Sequence, residues 1–209
     1  MNISVRLEGG LGDCLLGHRF SVAIKEKYPT SSILEISTKS KEILGQRLSA
    51  FNLELVDGIV SCTVESAYQG SKIFELGGPF TEIYNFSSVE AKQDPRLLTS
   101  GKLVGFEYNS HRFAVRDNPN FYDYLYIKAL VNSKNLVELN SFDVFTDFAF
   151  STNFSSPKGS SRNCQARSFA IFIGLSRVGM SGEQILNLLY ELATTEQFSE
   201  KYNQLDFEF

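Results

Sequence analysis

The sequence predicts an α/β fold built on a mostly parallel sheet, and three observations lead there. Ile3, Val5 and Leu7 alternate with polar residues before a glycine turn; apolar residues at helical spacing follow as far as Tyr28-Pro29; and a second short apolar run, Ile33, Leu34 and Ile36, comes next. Strands alternating with helices at this spacing imply right-handed crossovers, which bring the strands into parallel. A chain of 209 residues with 43% apolar composition can bury a sizeable core.

Taken in order, the first strand ends where Gly9, Gly10 and Gly12 punctuate it, and Leu15, Leu16, Phe20, Ala23 and Ile24 then form a helical stripe. Asp13 stands at the N-cap or first-turn position of that helix, and Pro29 ends it by restricting the residue before it. Residues 40–48 read as a second helix after a Ser/Thr-rich start, and residues 53–60 as a third strand split by Asp57-Gly58. Residues 72–76 and 103–106 are further strand candidates, separated by turn signals at Gly77-Gly78-Pro79 and Asp94-Pro95. Residues 120–131 suit a helix after Pro119. The segment 151–168, rich in serine around Pro157 and Gly159, has the composition of a linker. Beyond it, residues 169–175 form a short apolar run read as a strand. Residues 182–198 form an amphipathic helix with Ile185, Leu188, Leu189 and Leu192 on one stripe, which needs a surface to cover it.

The bulk charge narrows the partners. A net charge of −4 and a pI near 5.3 leave no basic surface to neutralise a phosphate backbone, so no nucleic-acid partner is expected. Arg6 and Glu8 interrupt the first apolar alternation, unlike a secretory signal, and no segment approaches the ~20 apolar residues of a membrane span, so the chain is expected to be cytoplasmic, with no transmembrane segment. Cys14, Cys62 and Cys164 are odd in number and lack metal-ligand or disulfide spacing, and His18 and His111 are the only histidines. Neither a metal nor a cofactor is expected.

The chemistry centres on the glycine turn. Gly9, Gly10 and Gly12 would expose backbone N–H groups at a helix N-terminus, where the dipole favours an anion, while Asp13 would offer one carboxylate at the tip. The same glycines also serve a sharp strand-to-helix connection and Asp13 also serves as a cap, so a structural reading stands beside the chemical one. The dinucleotide fingerprint fails, because its third glycine falls on Leu15, and the P-loop Gly-Lys-Ser/Thr is absent. His111-Arg112, flanked by Tyr108 and Phe113, reads either as an acceptor-binding loop or as a solvated one.

The run Val5-Arg6 through Gly10-Leu11-Gly12-Asp13-Cys14-Leu15-Leu16, the helix ending Lys25-Glu26-Lys27-Tyr28-Pro29, the strand at 32–36 and Val56-Asp57-Gly58-Ile59-Val60 together resemble the opening of the ADP-heptose:lipopolysaccharide heptosyltransferase family. The resemblance covers about the first 60 residues. It implies a GT-B glycosyltransferase-like fold: a Rossmann-like, mostly parallel sheet with helices on both faces over residues 1–150, a linker at 151–168, and a truncated second domain, one strand and one helix, over 169–209. By that likeness Asp13 would be the general base that deprotonates a sugar acceptor. Gly9, Gly10 and Gly12 would present N–H groups to substrate, and His18, Arg19, His111 and Arg112 would face the acceptor. The implied partners are a nucleotide-sugar and a hydroxyl acceptor. The alternative is a non-catalytic binding or structural module of the same fold, associating with a partner chain or with itself as a homo-oligomer.

Overall fold

A computed structural model of the protein describes residues 29–30, 32–115, 121–133, 142–147 and 164–194. The expected first strand, glycine turn and first helix lie outside the described residues.

Among the described residues the strands form three small sheets, not one. β1 (Ile33–Glu35) is followed by the short helix α1 (Ile43–Arg47), and a hairpin of β2 (Glu54–Asp57) and β3 (Val60–Thr63) comes next. That hairpin is antiparallel, with Asp57 opposite Val60 and Gly58 at φ 63° in its two-residue loop. The Asp57-Gly58 signal therefore reverses the chain where the sequence suggested one interrupted strand. β3 runs straight into α2 (Val64–Gly70), which leads to β4 (Lys72–Phe74). A 3-10 turn (Thr81–Asn85) and the short helices α3 (Ser88–Gln93) and α4 (Arg96–Thr99) precede β5 (Leu103–Tyr108) and β6 (His111–Phe113). β4, β5 and β6 form an antiparallel sheet in that order, and Asn109 and Ser110, at φ 48° and 62°, make the tight β5–β6 turn. The central helix is α5 (Phe121–Asn132), and β7 (Val144–Thr146) then pairs with β1 in parallel. Two helices, α6 (Gln165–Arg177) and α7 (Gly182–Thr194), complete the described fold.

The expected mostly parallel, Rossmann-like sheet is thus corrected. β1–β7 is the one parallel pairing among the described residues, and the rest of the strand pairing is antiparallel. Two-residue turns cannot make parallel neighbours, because a parallel connection needs a crossover.

The core gathers around α5, where Phe121, Tyr122, Leu125, Tyr126, Ile127, Ala129 and Leu130 are all buried. A helix apolar on nearly every side has to be surrounded, and α2, β2, α6 and α7 pack about it. Its one buried charge, Asp123, accepts from Arg167 Nη1 at 2.9 Å and Ser168 Oγ at 2.7 Å, which ties α5 to α6. Residues 169–175, expected as a strand, belong to the 13-residue helix α6. A short apolar run does not distinguish strand from buried helix, and here Ala166, Phe169, Phe172 and Ile173 are buried at helical spacing. Of the expected stripe on α7, Ile185 and Leu189 are buried, joined by Ala193, where the helix lies against α5 and α6, whereas Leu188 and Leu192 are only half-buried.

Candidate functional site

The site is assembled on α2 and the strand after it. Thr63 caps α2 through its Oγ1, which accepts from the Ser66 N–H at 3.2 Å, and it also bonds Ser66 Oγ and Ser88 Oγ at 2.9 and 2.7 Å. Ser66 Oγ donates to Phe86 O at 2.9 Å and Ser88 Oγ to Phe51 O at 2.8 Å, so the start of the helix is fixed from three directions. Glu65, in the first turn, is only 7% exposed, and its backbone N–H donates to Ala50 O at 3.0 Å. A carboxylate in the first turn also faces the favourable end of the helix dipole.

Glu65 and Gln69 lie one turn apart, and Lys72 follows where the helix gives way to β4. Gln69 Nε2 donates to Glu65 Oε1 at 2.8 Å, and Lys72 Nζ donates to Gln69 Oε1 at 2.6 Å. The amide therefore bridges a carboxylate and an amine. Lys72 Nζ also lies 4.9 Å above the Tyr68 ring, and Tyr68 meets Tyr122 edge-on with centroids 5.3 Å apart. Behind them Phe106 and Phe121 form an aromatic wall at 4.9 Å. Gly70 is required by close approach: a Cβ there would stand 2.6 Å from the Tyr84 ring.

Burial pushes the Lys72 amine down to about 8, against a partial upward pull from Glu65, with Lys92 adding repulsion. Desolvation also pushes the Tyr122 hydroxyl well above its ordinary value, Tyr126 and Glu65 adding to the rise. A lysine that is partly neutral near pH 7.5, hydrogen-bonded within a buried cluster that holds a carboxylate, can both give and accept a proton. Cys62 and Cys164 are free thiols that burial raises to about 11, so neither offers a thiolate at neutral pH. Among the described residues no group of histidine, cysteine or acidic side chains could hold a metal ion.

Of the residues singled out from sequence, Gly9, Gly10, Gly12, Asp13, His18 and Arg19 lie outside the described residues. His111 and Arg112 are exposed on β6. His111 Nδ1 bonds Asn109 O at 2.8 Å and its ring meets Tyr190 edge-on, while Arg112 Nε donates to Glu107 at 3.1 Å. These contacts with Asn109, Tyr190 and Glu107 lie apart from the Glu65–Gln69–Lys72 cluster. That cluster was missed from sequence, although Glu65 and Gln69 at i and i+4 mark one face of a helix and Lys72 follows just past its end.

Fold and site define an α+β arrangement with a largely buried acid–amide–amine chain that runs along α2 to the start of β4. The chain belongs to the family described as NADAR-DarT1, the DarT1-associated NADAR antitoxin, whose profile matches residues 18–206. No curated protein matches the chain. This membership overturns the resemblance to heptosyltransferases and with it the GT-B fold, the glycosyltransferase function, and the nucleotide-sugar and sugar acceptor as partners. The alternative of a non-catalytic module with a self- or partner-association role is not supported either: the family is one of antitoxins linked to the DarT1 toxin. A glycine turn followed by a helix is common to many folds, so the likeness over the first 60 residues did not specify this one. No helix among the described residues is long and apolar enough to cross a membrane.

Proposed function

We propose that the chain is the antitoxin of a DarT1-type toxin and that it neutralises the toxin's effect by hydrolase-like chemistry at Glu65, Gln69 and Lys72. The observation that carries the reading is the depressed Lys72 amine, hydrogen-bonded through Gln69 to a carboxylate with almost no exposure. A group poised near the working pH, next to one of opposite character, is the usual equipment of proton transfer.

In this scheme Glu65 takes a proton from water as the water oxygen bonds to the substrate's electrophilic carbon. The electron pair of the breaking bond passes to the leaving atom, which receives a proton from the Lys72 ammonium. Gln69 keeps the two groups in register, and the Tyr68–Tyr122 and Phe106–Phe121 rings limit water around them.

The test is co-expression with the toxin. The unaltered chain restores growth, whereas Glu65→Gln and Lys72→Met do not, although both proteins stay folded by circular dichroism. Replacing Lys72 removes a charge that burial disfavours, so Lys72→Met is expected to fold. If the unaltered chain gives no protection, the antitoxin assignment fails. If both variants protect fully, this site is not where the chemistry happens.

A further inference from the structure

Resting on the assignment of Glu65 to that site, we propose that Asp147 and Gln165 are positioning residues, which hold the Glu65-bearing turn in place through Ala50.

Gln165 is the first residue of α6, and its side chain reaches three separate segments. Its Nε2 donates to Ile36 O at 2.7 Å, just past β1, and to Asp147 Oδ1 at 3.1 Å, just past β7. Its Oε1 accepts the Ala50 N–H at 2.7 Å, while its own backbone N–H donates to Asp147 Oδ2 at 3.1 Å. Ala50 O in turn accepts the Glu65 N–H at 3.0 Å. One residue therefore separates the Gln165 amide from the turn that carries the buried carboxylate. The neighbouring Val64 N–H donates to Leu53 O at 3.0 Å, so the loop between α1 and β2 is the seat on which α2 begins.

Asp147 and the Ile36 carbonyl together set the orientation of the Gln165 amide, both accepting from its Nε2. Ionised, its two oxygens accept both Gln165 N–H groups, which turns Oε1 toward Ala50; a flipped amide would set Oε1 against a carboxylate oxygen and Nε2 against the Ala50 N–H. The groups facing Asp147 are the Gln165 amide from α6 and the Cys164 thiol just before it, the Glu35 carboxylate from β1, and the Tyr122 and Tyr126 hydroxyls from α5. Burial pushes its carboxyl up to about 6. Below that pH the protonated group becomes a donor and no longer accepts both bonds.

Two variants and two readouts test this. Gln165→Leu removes the acceptor for Ala50; amide hydrogen exchange at Ala50 and Glu65 is expected to rise roughly tenfold over exchange in α7, and protection against the toxin to fall by a similar factor. Gln165→Glu keeps the shape but sets two carboxylates side by side, which repel each other when both are ionised. At pH 8 it should show the same loosened Ala50 and Glu65 amides. On acidification toward pH 6 the pair takes up one shared proton, the introduced carboxyl donates it to Asp147 and accepts from Ala50, and protection of those two amides should return. A merely structural role for Gln165 would raise exchange in α7 as much as at Ala50 and Glu65. Should Gln165→Leu fail to fold, Gln165→Glu alone decides.

Unchanged exchange at Ala50 and Glu65 in the folded variant overturns the proposal, and so does a Gln165→Glu protein without recovery at low pH. If the tether behaves as expected but Glu65→Gln still protects cells, the tether stands and the catalytic assignment of Glu65 falls.

Discussion

Competitive labelling of Lys72 tests the electrostatics of the site most directly. An amine lowered to about 8 from an ordinary 10.5 is about one-quarter neutral at pH 7.5, against about one part in a thousand for an unperturbed lysine, so its nucleophilic form is enriched roughly 200-fold. The same shift has a stability signature with a definite sign. Below pH 8 the amine is charged in both folded and unfolded chains, and the full cost of burying that charge is present. Between 8 and 10.5 the folded chain releases its proton first, so stability rises with pH across that window, by at most about 3 kcal/mol. The assay is acylation with a limiting reagent from pH 6 to 11, read by peptide mass spectrometry, with the exposed Lys41 as reference. Lys72 should reach half-maximal labelling near pH 8. Glu65→Gln should move that midpoint lower, because it removes a charge that favours the ammonium, and Lys92→Ala should move it higher, because it removes a repelling one. A Lys72 midpoint coinciding with that of Lys41 would refute the reasoning, since burial would then not be acting on the amine.

Two further outcomes follow from packing and titration. Gly70→Ala places a methyl 2.6 Å from the Tyr84 ring, which is itself held by Ser71 at 2.9 Å, so thermal unfolding should show a loss of about 1–3 kcal/mol; a change under about 0.5 kcal/mol would mean that the ring swings away freely. Asp147, raised to about 6 by burial, keeps its proton in the folded chain after the unfolded chain has lost it near 3.8, so its favourable term is complete below pH 3.8 and is lost as pH rises through 6. Asp147→Asn should remove that slope from the urea-unfolding free energy between pH 4 and 6, and an unaltered slope would place the titration elsewhere.

Much of the local structure was legible in the chain. Residues 103–106 and 33–36 were read as strands and fall on β5 and β1, and the helices expected at 120–131 and 182–198 fall on α5 and α7. These segments carry their own periodicity and bounding residues, which is all that local structure requires. The site was less legible. The residues read from the glycine turn lie outside the described structure, and Lys72, placed correctly in a strand, carried no sign that its amine would be buried. Its proton affinity depends on Tyr68, on Glu65 and on the desolvation that the neighbouring segments impose.

The sequence by itself determined which segments bury an apolar face and where the chain must turn, because alternation, helical stripes and the Asp57-Gly58 and Gly77-Gly78-Pro79 signals act over a few residues. Tertiary structure alone decided that the strands among the described residues pair mainly antiparallel in three small sheets, that residues 169–175 join a helix, and that Ile185 and Leu189 of α7 close against the chain's own helices. It also decided that Gln165 reaches Ala50 across 115 positions of sequence. Pairing partners, burial and proton affinity arise from groups distant along the chain, and no local pattern encodes which of them will meet.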